Sequence, residues 1–278
     1  MIIDSHVHVW SDDDLRYPTA RPGKQDPGSV EFLIETMATA AVEKAVIVQP
    51  IFYLFDTRYV ADSMRRFPGK FAAIALMDQL APAAPDRLEQ LVKEQGFSGI
   101  RLHFPLHSDN PQALAGKDQN PLWQRAQDLR LGFIAFGNCG NLPIVEKMVR
   151  QFPGVKVVVD HVAHPDVTEK PPYPLFSNLL RLARYPNVFV KISNLSTASR
   201  QSYPYRDTFP FVRMLYDAFG PQRLMWGSDF PLVFKKYSSY LACLENARTH
   251  LDFLTEEDKN WLLGNTAASV WTFRSPAT

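Results

Sequence analysis

The sequence predicts an α/β fold, and within that class a single (β/α)8 barrel of the TIM type. Three observations carry this. Eight short apolar runs recur along the chain, separated by segments with helical periodicity. Strands alternating with helices make right-handed βαβ units and a parallel sheet. The chain has 278 residues, close to the ~250 such a barrel uses as one domain. No Gly-x-Gly-x-x-Gly follows any apolar run, so an open dinucleotide-binding sheet lacks its usual mark. Residues 1–278 are therefore expected to form one barrel domain, finished by C-terminal helices over about 237–273.

The elements follow in order. Met1-Ile2-Ile3 opens a strand that ends in Asp4-Ser5-His6-Val7-His8. A loop rich in Asp, Arg and Pro runs from Trp10 to Gly28. Ser29 is placed to N-cap a helix with apolar residues at Phe32, Leu33 and Met37. Lys44 to Val48 is a continuous apolar run closed by Gln49-Pro50, the pattern of a strand buried on both faces. Helix and strand then alternate. Arg58–Phe67 is followed by strand Phe71–Leu76, and Pro85–Gln95, with proline in its first turn, by strand Gly99–Phe104. Leu122–Leu129 precedes strand Leu131–Phe136, and Leu142–Phe152 precedes strand Val155–His161. Phe176–Tyr185 precedes strand Val188–Ser193, and Phe209–Phe219 precedes strand Leu224–Asp229. Tyr237–Leu251, Glu256–Leu263 and Asn265–Phe273 read as helices, with Asn265 as an N-cap.

Composition bounds the partners. Thirty basic and 29 acidic residues leave a formal charge of +1, with no basic tract. Nucleic acid and membrane surfaces are poor partners for such a chain, and a small molecule is the expected one. No run of about 18 apolar residues is present to span a bilayer. The opening strand has no basic leader before it, and Cys139 and Cys243 form no paired motif. Both features suit a cytoplasmic protein with free thiols. A homo-oligomer is compatible with the pattern but not legible in it.

Barrel enzymes build their sites at the C-terminal ends of the strands. Five of the seven histidines fall there or just beyond: His6, His8, His103, His161 and His164. Asp229 ends the eighth run, and Arg101 and Lys191 lie late in the fourth and seventh. His6 and His8, two apart on a strand, share a face. His6, His8, His161 and Asp229 are the expected catalytic cluster. Arg101 in an apolar strand requires an anionic partner, either a protein or a substrate carboxylate, and is expected to bind substrate by holding its carboxylate. His103, Tyr53 and Arg206 are expected to help orient a substrate. His164 reads as a loop residue, Lys191 as half of a structural ion pair, and Trp10 and Trp226 as packing beside the mouth.

Ile3 to Trp10, Val159-Asp160-His161 and Met225 to Pro231 resemble motifs of the amidohydrolase superfamily. The resemblance extends through Val48-Gln49-Pro50, Gly99-Ile100-Arg101 and Gly264-Asn265-Thr266-Ala267. It is nearest to the amidohydrolase 2 branch, which includes sugar lactonases and a 2-pyrone-4,6-dicarboxylate lactonase. That resemblance implies a hydrolase opening a lactone of a small carboxylated or sugar-derived molecule. In it Asp229 is the general base, with a raised pKa, and His6, His8 and His161 polarise the carbonyl. Many superfamily members carry a carboxylated lysine on strand four, and metal-dependent ones a histidine ending strand five. This chain has Arg101 and His103 at the first place and Gly137-Asn138 at the second. The expectation is chemistry with no required cofactor. Should zinc bind, its expected ligands are His6, His8 and Asp229. The alternative is a mononuclear zinc amidohydrolase or a non-oxidative decarboxylase.

Overall fold

The computed structural model describes residues 1–24 and 27–274. The expected domain boundary at 278 and part of the 10–28 loop thus lie outside the described residues. Eight parallel strands run in sequence order around one sheet: β1 Ile3–Val7, β2 Lys44–Val48, β3 Phe71–Ala75, β4 Gly99–His103, β5 Gly132–Phe136, β6 Lys156–Val159, β7 Val188–Ser193 and β8 Leu224–Gly227. Beyond the last turn of β8 the chain meets β1. Asp229 N donates to His6 O at 2.9 Å and His8 N donates to Phe230 O at 2.7 Å. The barrel is nearly closed, and it is a single domain.

The period-two rule of strands sets what fills it. Ile134, Val158, Phe189 and Met225 pack together with Val46, Val48 and Ile74 at the lower level of the interior. Two residues further along the same strands come Phe136, Asp160, Lys191 and Gly227, and then Ser193 and Asp229. The polar residues thus form the upper layers over an apolar floor, as the layering of such barrels requires. β1 departs from strict alternation, because its register against β2 shifts between Asp4 and Val7. Ile3 joins the lower apolar layer, while His6 three residues on reaches the polar one.

The bottom is plugged from outside. Trp271, after the last helix Thr266–Val270, packs into the lower cluster. A Cβ at Gly132 would lie 2.7 Å from its ring, and a Cβ at Gly99 would lie 1.7 Å from Gly132 O. These two glycines make room for the plug and for each other's strand. Ser29 caps its helix, accepting from Phe32 N at 3.2 Å. Asn265 does not. The chain stays helical from Glu256 to Val270 through a wide turn at Trp261–Asn265, so Asn265 has helical backbone and caps nothing. Gly264 in that turn sits against the first residue, where a Cβ would be 2.2 Å from Met1 O.

Candidate active site

β6, β7 and β8 each end in a turn that the side chains alone would not choose. His161, Val162, Ala163 and His164 all have φ between 47° and 55°, and Asn194 and Asp229 have φ of 53° and 62°. Left-handed backbone costs roughly 1–2 kcal/mol per non-glycine residue, more for a β-branched one such as Val162. Such strain concentrates at functional sites. Here the left-handed turns aim His161, His164, Asn194 and Asp229 into a common cavity of about 330 Å³ at the barrel mouth. That volume is of the size that holds a small ligand. His8, Arg101, His103 and Phe136 line it too, with Trp10, Ile51, Phe52 and Leu232 as an apolar wall.

The cluster at its floor rests on a buried ionic frame. Asp160, fully buried, accepts from Arg101 Nε and Nη2 on one oxygen at 2.9 and 2.7 Å. Its other oxygen lies 3.1 Å from Lys191 Nζ and 3.2 Å from His6 Nδ1. Burial would raise the Asp160 pKa, but the Lys191 ammonium, the adjacent His6 and the Arg101 guanidinium hold it well below the carboxylate range. Arg101 therefore has a protein carboxylate as its anionic partner, not a substrate one, and Lys191 is the structural ion pair it was expected to be. A second buried carboxylate, Asp4, ties β1 to β8. It accepts from His6 N at 3.0 Å, Ser228 N at 2.9 Å and Tyr240 OH at 2.7 Å. Neither Asp4 nor Asp160 was marked as a site residue from sequence. The signal was there: each is an acid in or next to an apolar run, where a charge must be paired.

The imidazoles are assigned by their partners. His8 Nδ1 lies 2.7 Å from Val48 O; a carbonyl only accepts, so Nδ1 carries the proton and the Nε2 of a neutral His8 has a bare lone pair. His6 Nε2 faces that nitrogen at 3.2 Å. His6 Nδ1 sits between two suitors, the Lys191 ammonium at 3.1 Å and the Asp160 carboxylate. With Lys191 donating, His6 Nε2–H points at His8. His161 Nδ1 pairs with Ser193 Oγ at 2.8 Å. Burial first, then neighbouring cations, lowers His6 far below the usual histidine range, and burial pulls His161 down to about 4. Both rings are neutral at pH 7.

Asp229 corrects an expectation. Burial does raise its pKa, but the neighbouring His8, His161 and His6 outweigh that and hold it below the ordinary range. Its Oδ1 is 3.5 Å from His8 Nε2 and 3.7 Å from His6 Nε2. It is an ionised carboxylate throughout the working pH range, not one with a raised pKa.

The other expected residues divide. His103 lines the cavity, with its ring 4.8 Å from that of Phe136 and its Nδ1 buried without a partner. Tyr53 does not line it: its hydroxyl accepts from Ser11 N at 2.9 Å and pins the loop after β1. Arg206 is exposed, 6.0 Å over the Phe209 ring and outside the cavity. Trp10 walls the cavity, and Trp226 lies behind it against Tyr240. His164, expected to be a plain loop residue, lines the cavity with its ring 5.3 Å from that of His161.

A metal fits the donor set. Among the described residues, ligand atoms of His6, His161 and Asp229 lie within 4.8 Å of one another. Three such ligands and an open side suit a catalytic divalent ion. His161 joins the set expected from sequence, brought inward by its left-handed turn, while His8 Nε2 also stays close, 3.2 Å from His6 Nε2 and 3.5 Å from Asp229 Oδ1. A larger groove of about 540 Å³ lies elsewhere, and its cations are already paired: Arg16 and Arg65 with Asp62, and Arg66 with Glu31.

The family model described as Amidohydrolase matches residues 3–273. The chain belongs to the amidohydrolase family. Within the family it is 28% identical to an L-fucono-1,5-lactonase of Burkholderia ambifaria, over 99% of this chain and 97% of that one. It is also 28% identical to a 4-sulfomuconolactone hydrolase of Hydrogenophaga intermedia, over 82% of this chain and 74% of that one. A solved amidohydrolase of Burkholderia multivorans with bound zinc superposes with a TM-score of 0.76 at 23% identity, covering 97% of this chain and 98% of that one.

Proposed function

We propose that the protein hydrolyses a lactone, with Asp229 as the general base. The observation that carries this is an ionised carboxylate held against neutral imidazoles at the floor of a mouth cavity. Asp229 Oδ1, with His8 Nε2 at 3.5 Å and His6 Nε2 at 3.7 Å beside it, is an acceptor suited to hold a water. The water oxygen bonds to the lactone carbonyl carbon while its proton passes to Asp229. The carbonyl electron pair moves to oxygen. With Ser193 donating to His161 Nδ1, His161 presents Nε2–H to that oxyanion, a contact worth about 3–4 kcal/mol for a well-placed donor. The carbonyl re-forms, the ring C–O bond breaks, and Asp229 returns the proton to the leaving alkoxide. The product is a hydroxy acid. His6 and His8, expected as further donors, act here through each other, since the proton of His8 is taken by Val48.

A low-pKa carboxylate is a weaker base but is never lost to protonation at neutral pH. An ester needs less activation than an amide, so the base and one donor suffice and no metal is required. A divalent metal held by His6, His161 and Asp229 would supply a Lewis acid for the carbonyl oxygen. For that, His6 Nδ1–H must turn to Asp160 and leave Nε2 bare. The relatives named as lactone hydrolases support the reaction class.

A pH-indicator screen of a lactone panel tests the reading, since ring opening releases acid. A metal-stripped preparation is expected to keep full activity, and Asp229→Asn to lose about 10²–10⁴-fold in kcat. Activity lost on chelation and restored by zinc favours the mononuclear metal enzyme instead. An Asn variant as fast as wild type removes Asp229 as the base.

A further inference from the structure

We propose that the cleft selects lactones that carry no anionic group, and that its substrate is a neutral, polyhydroxylated lactone. This rests on the lactonase reading and narrows it. Among the described residues lining the mouth cavity, Arg101 is the only lysine or arginine. Its charge is already used. Two of its nitrogens are on Asp160, its guanidinium carbon lies 4.0 Å from the centroid of the Phe136 ring, and only 4% of its surface is exposed. Lys191 has no exposed surface and faces Asp160 from behind.

An adjoining cavity of about 430 Å³ shares Phe136 and His164 with the first. Ser108, Asn138 and Asn141 supply its polar side chains, and no lysine or arginine is among its described lining residues. The charge a bound molecule meets is that of Asp229. A carboxylate or sulfonate on the substrate would give up its water and meet no cation but Arg101, whose charge Asp160 already balances. It would also add a second negative charge beside the base.

What the cavity does offer suits hydroxyls on a compact ring. The polar side chains of His103, His164 and Asn194 line it. Each can give or take one neutral hydrogen bond. Trp10 and Phe52 add flat apolar surface for the C–H faces of a ring.

A matched pair of substrates decides the matter. An aldonolactone and the aldarolactone of the same ring differ only in CH₂OH against carboxylate. The wild-type enzyme is expected to show kcat/KM at least tenfold higher for the neutral member. Leu232→Arg, which places a cation on the cavity wall, is expected to close that gap by about tenfold. Equal or better turnover of the acid by wild type overturns the proposal. Binding of the corresponding lactams, measured by calorimetry, reads the same preference without catalysis. If neither lactone is opened, the lactonase reading fails, and the lactam ratio still decides this one: neutral lactam bound at least tenfold tighter supports it, and equal or tighter binding of the charged lactam overturns it.

Discussion

Asp160→Asn is the sharpest probe of the frame beneath the site. The substitution keeps the shape and one acceptor oxygen but removes the charge. It leaves Lys191, with no exposed surface, and Arg101, with 4%, without their counter-ion. Breaking a buried pair in this way costs about 3–5 kcal/mol, because the remaining charge stays out of water. For a chain of this size that corresponds to a fall in Tm of roughly 6–20 °C. The assay is thermal and urea unfolding of four proteins: wild type, Asp160→Asn, Lys191→Met and the double variant. Removing the orphaned ammonium must recover part of the loss, so the double variant should be more stable than the sum of the singles by at least ~1.5 kcal/mol. A loss below ~1 kcal/mol in Asp160→Asn refutes the reasoning. So does strict additivity in the cycle, which would mean that Lys191 and Asp160 do not depend on each other.

Gly227→Ala should cut kcat more than tenfold and cost about 1–3 kcal/mol, because the new Cβ would lie 2.8 Å from His6 Cβ and 3.0 Å from His6 N; steady-state kinetics with a melt checks both. Asp4→Asn tests a pH dependence. Burial pushes Asp4 up to about 6 from an ordinary 3.8, so its stabilising proton is fully present below ~3.8 and lost as pH rises through ~6. The stability of Asp4→Asn relative to wild type should therefore rise between pH 4 and 7, by up to about 3 kcal/mol. Denaturant titrations at four pH values measure it, and a flat difference would show that Asp4 is not buried uncharged at acid pH. His103→Ala should raise KM for a hydroxylated lactone by ~3–30-fold with little change in kcat, the pattern for a lost neutral hydrogen bond of about 1–2 kcal/mol; an equal fall in kcat would place His103 in the chemistry instead.

The barrel was legible because its signal is local and repeated. Each apolar run such as Lys44–Val48 or Val188–Ser193 announces a strand buried on both faces, and eight of them separated by helical periods admit few architectures. The cluster at the mouth was legible for a related reason. In a barrel the C-terminal strand ends converge, so a list of what ends each strand is also a list of neighbours, and His6, His8, His103, His161 and Asp229 came from that list. The family motifs carried the reaction class but not the arrangement within it. Tyr53 and Arg206 lie outside the cavity lining; both sit beyond the strands, where no period says which way a side chain faces.

What only the tertiary structure decided is pairing. Arg101 needs an anion on any reading of the sequence; that the anion is Asp160 and not a substrate depends on β4, β6 and β7 pointing three charges at one spot. The direction of the Asp229 pKa depends on three imidazoles drawn round it against the pull of burial. The presence of His161 in the converging group depends on a run of left-handed residues that their types do not favour. Strand and helix periods are set by nearest neighbours along the chain. Charge compensation, tautomers and strained turns are set by neighbours across it, and they come into being only when the barrel closes.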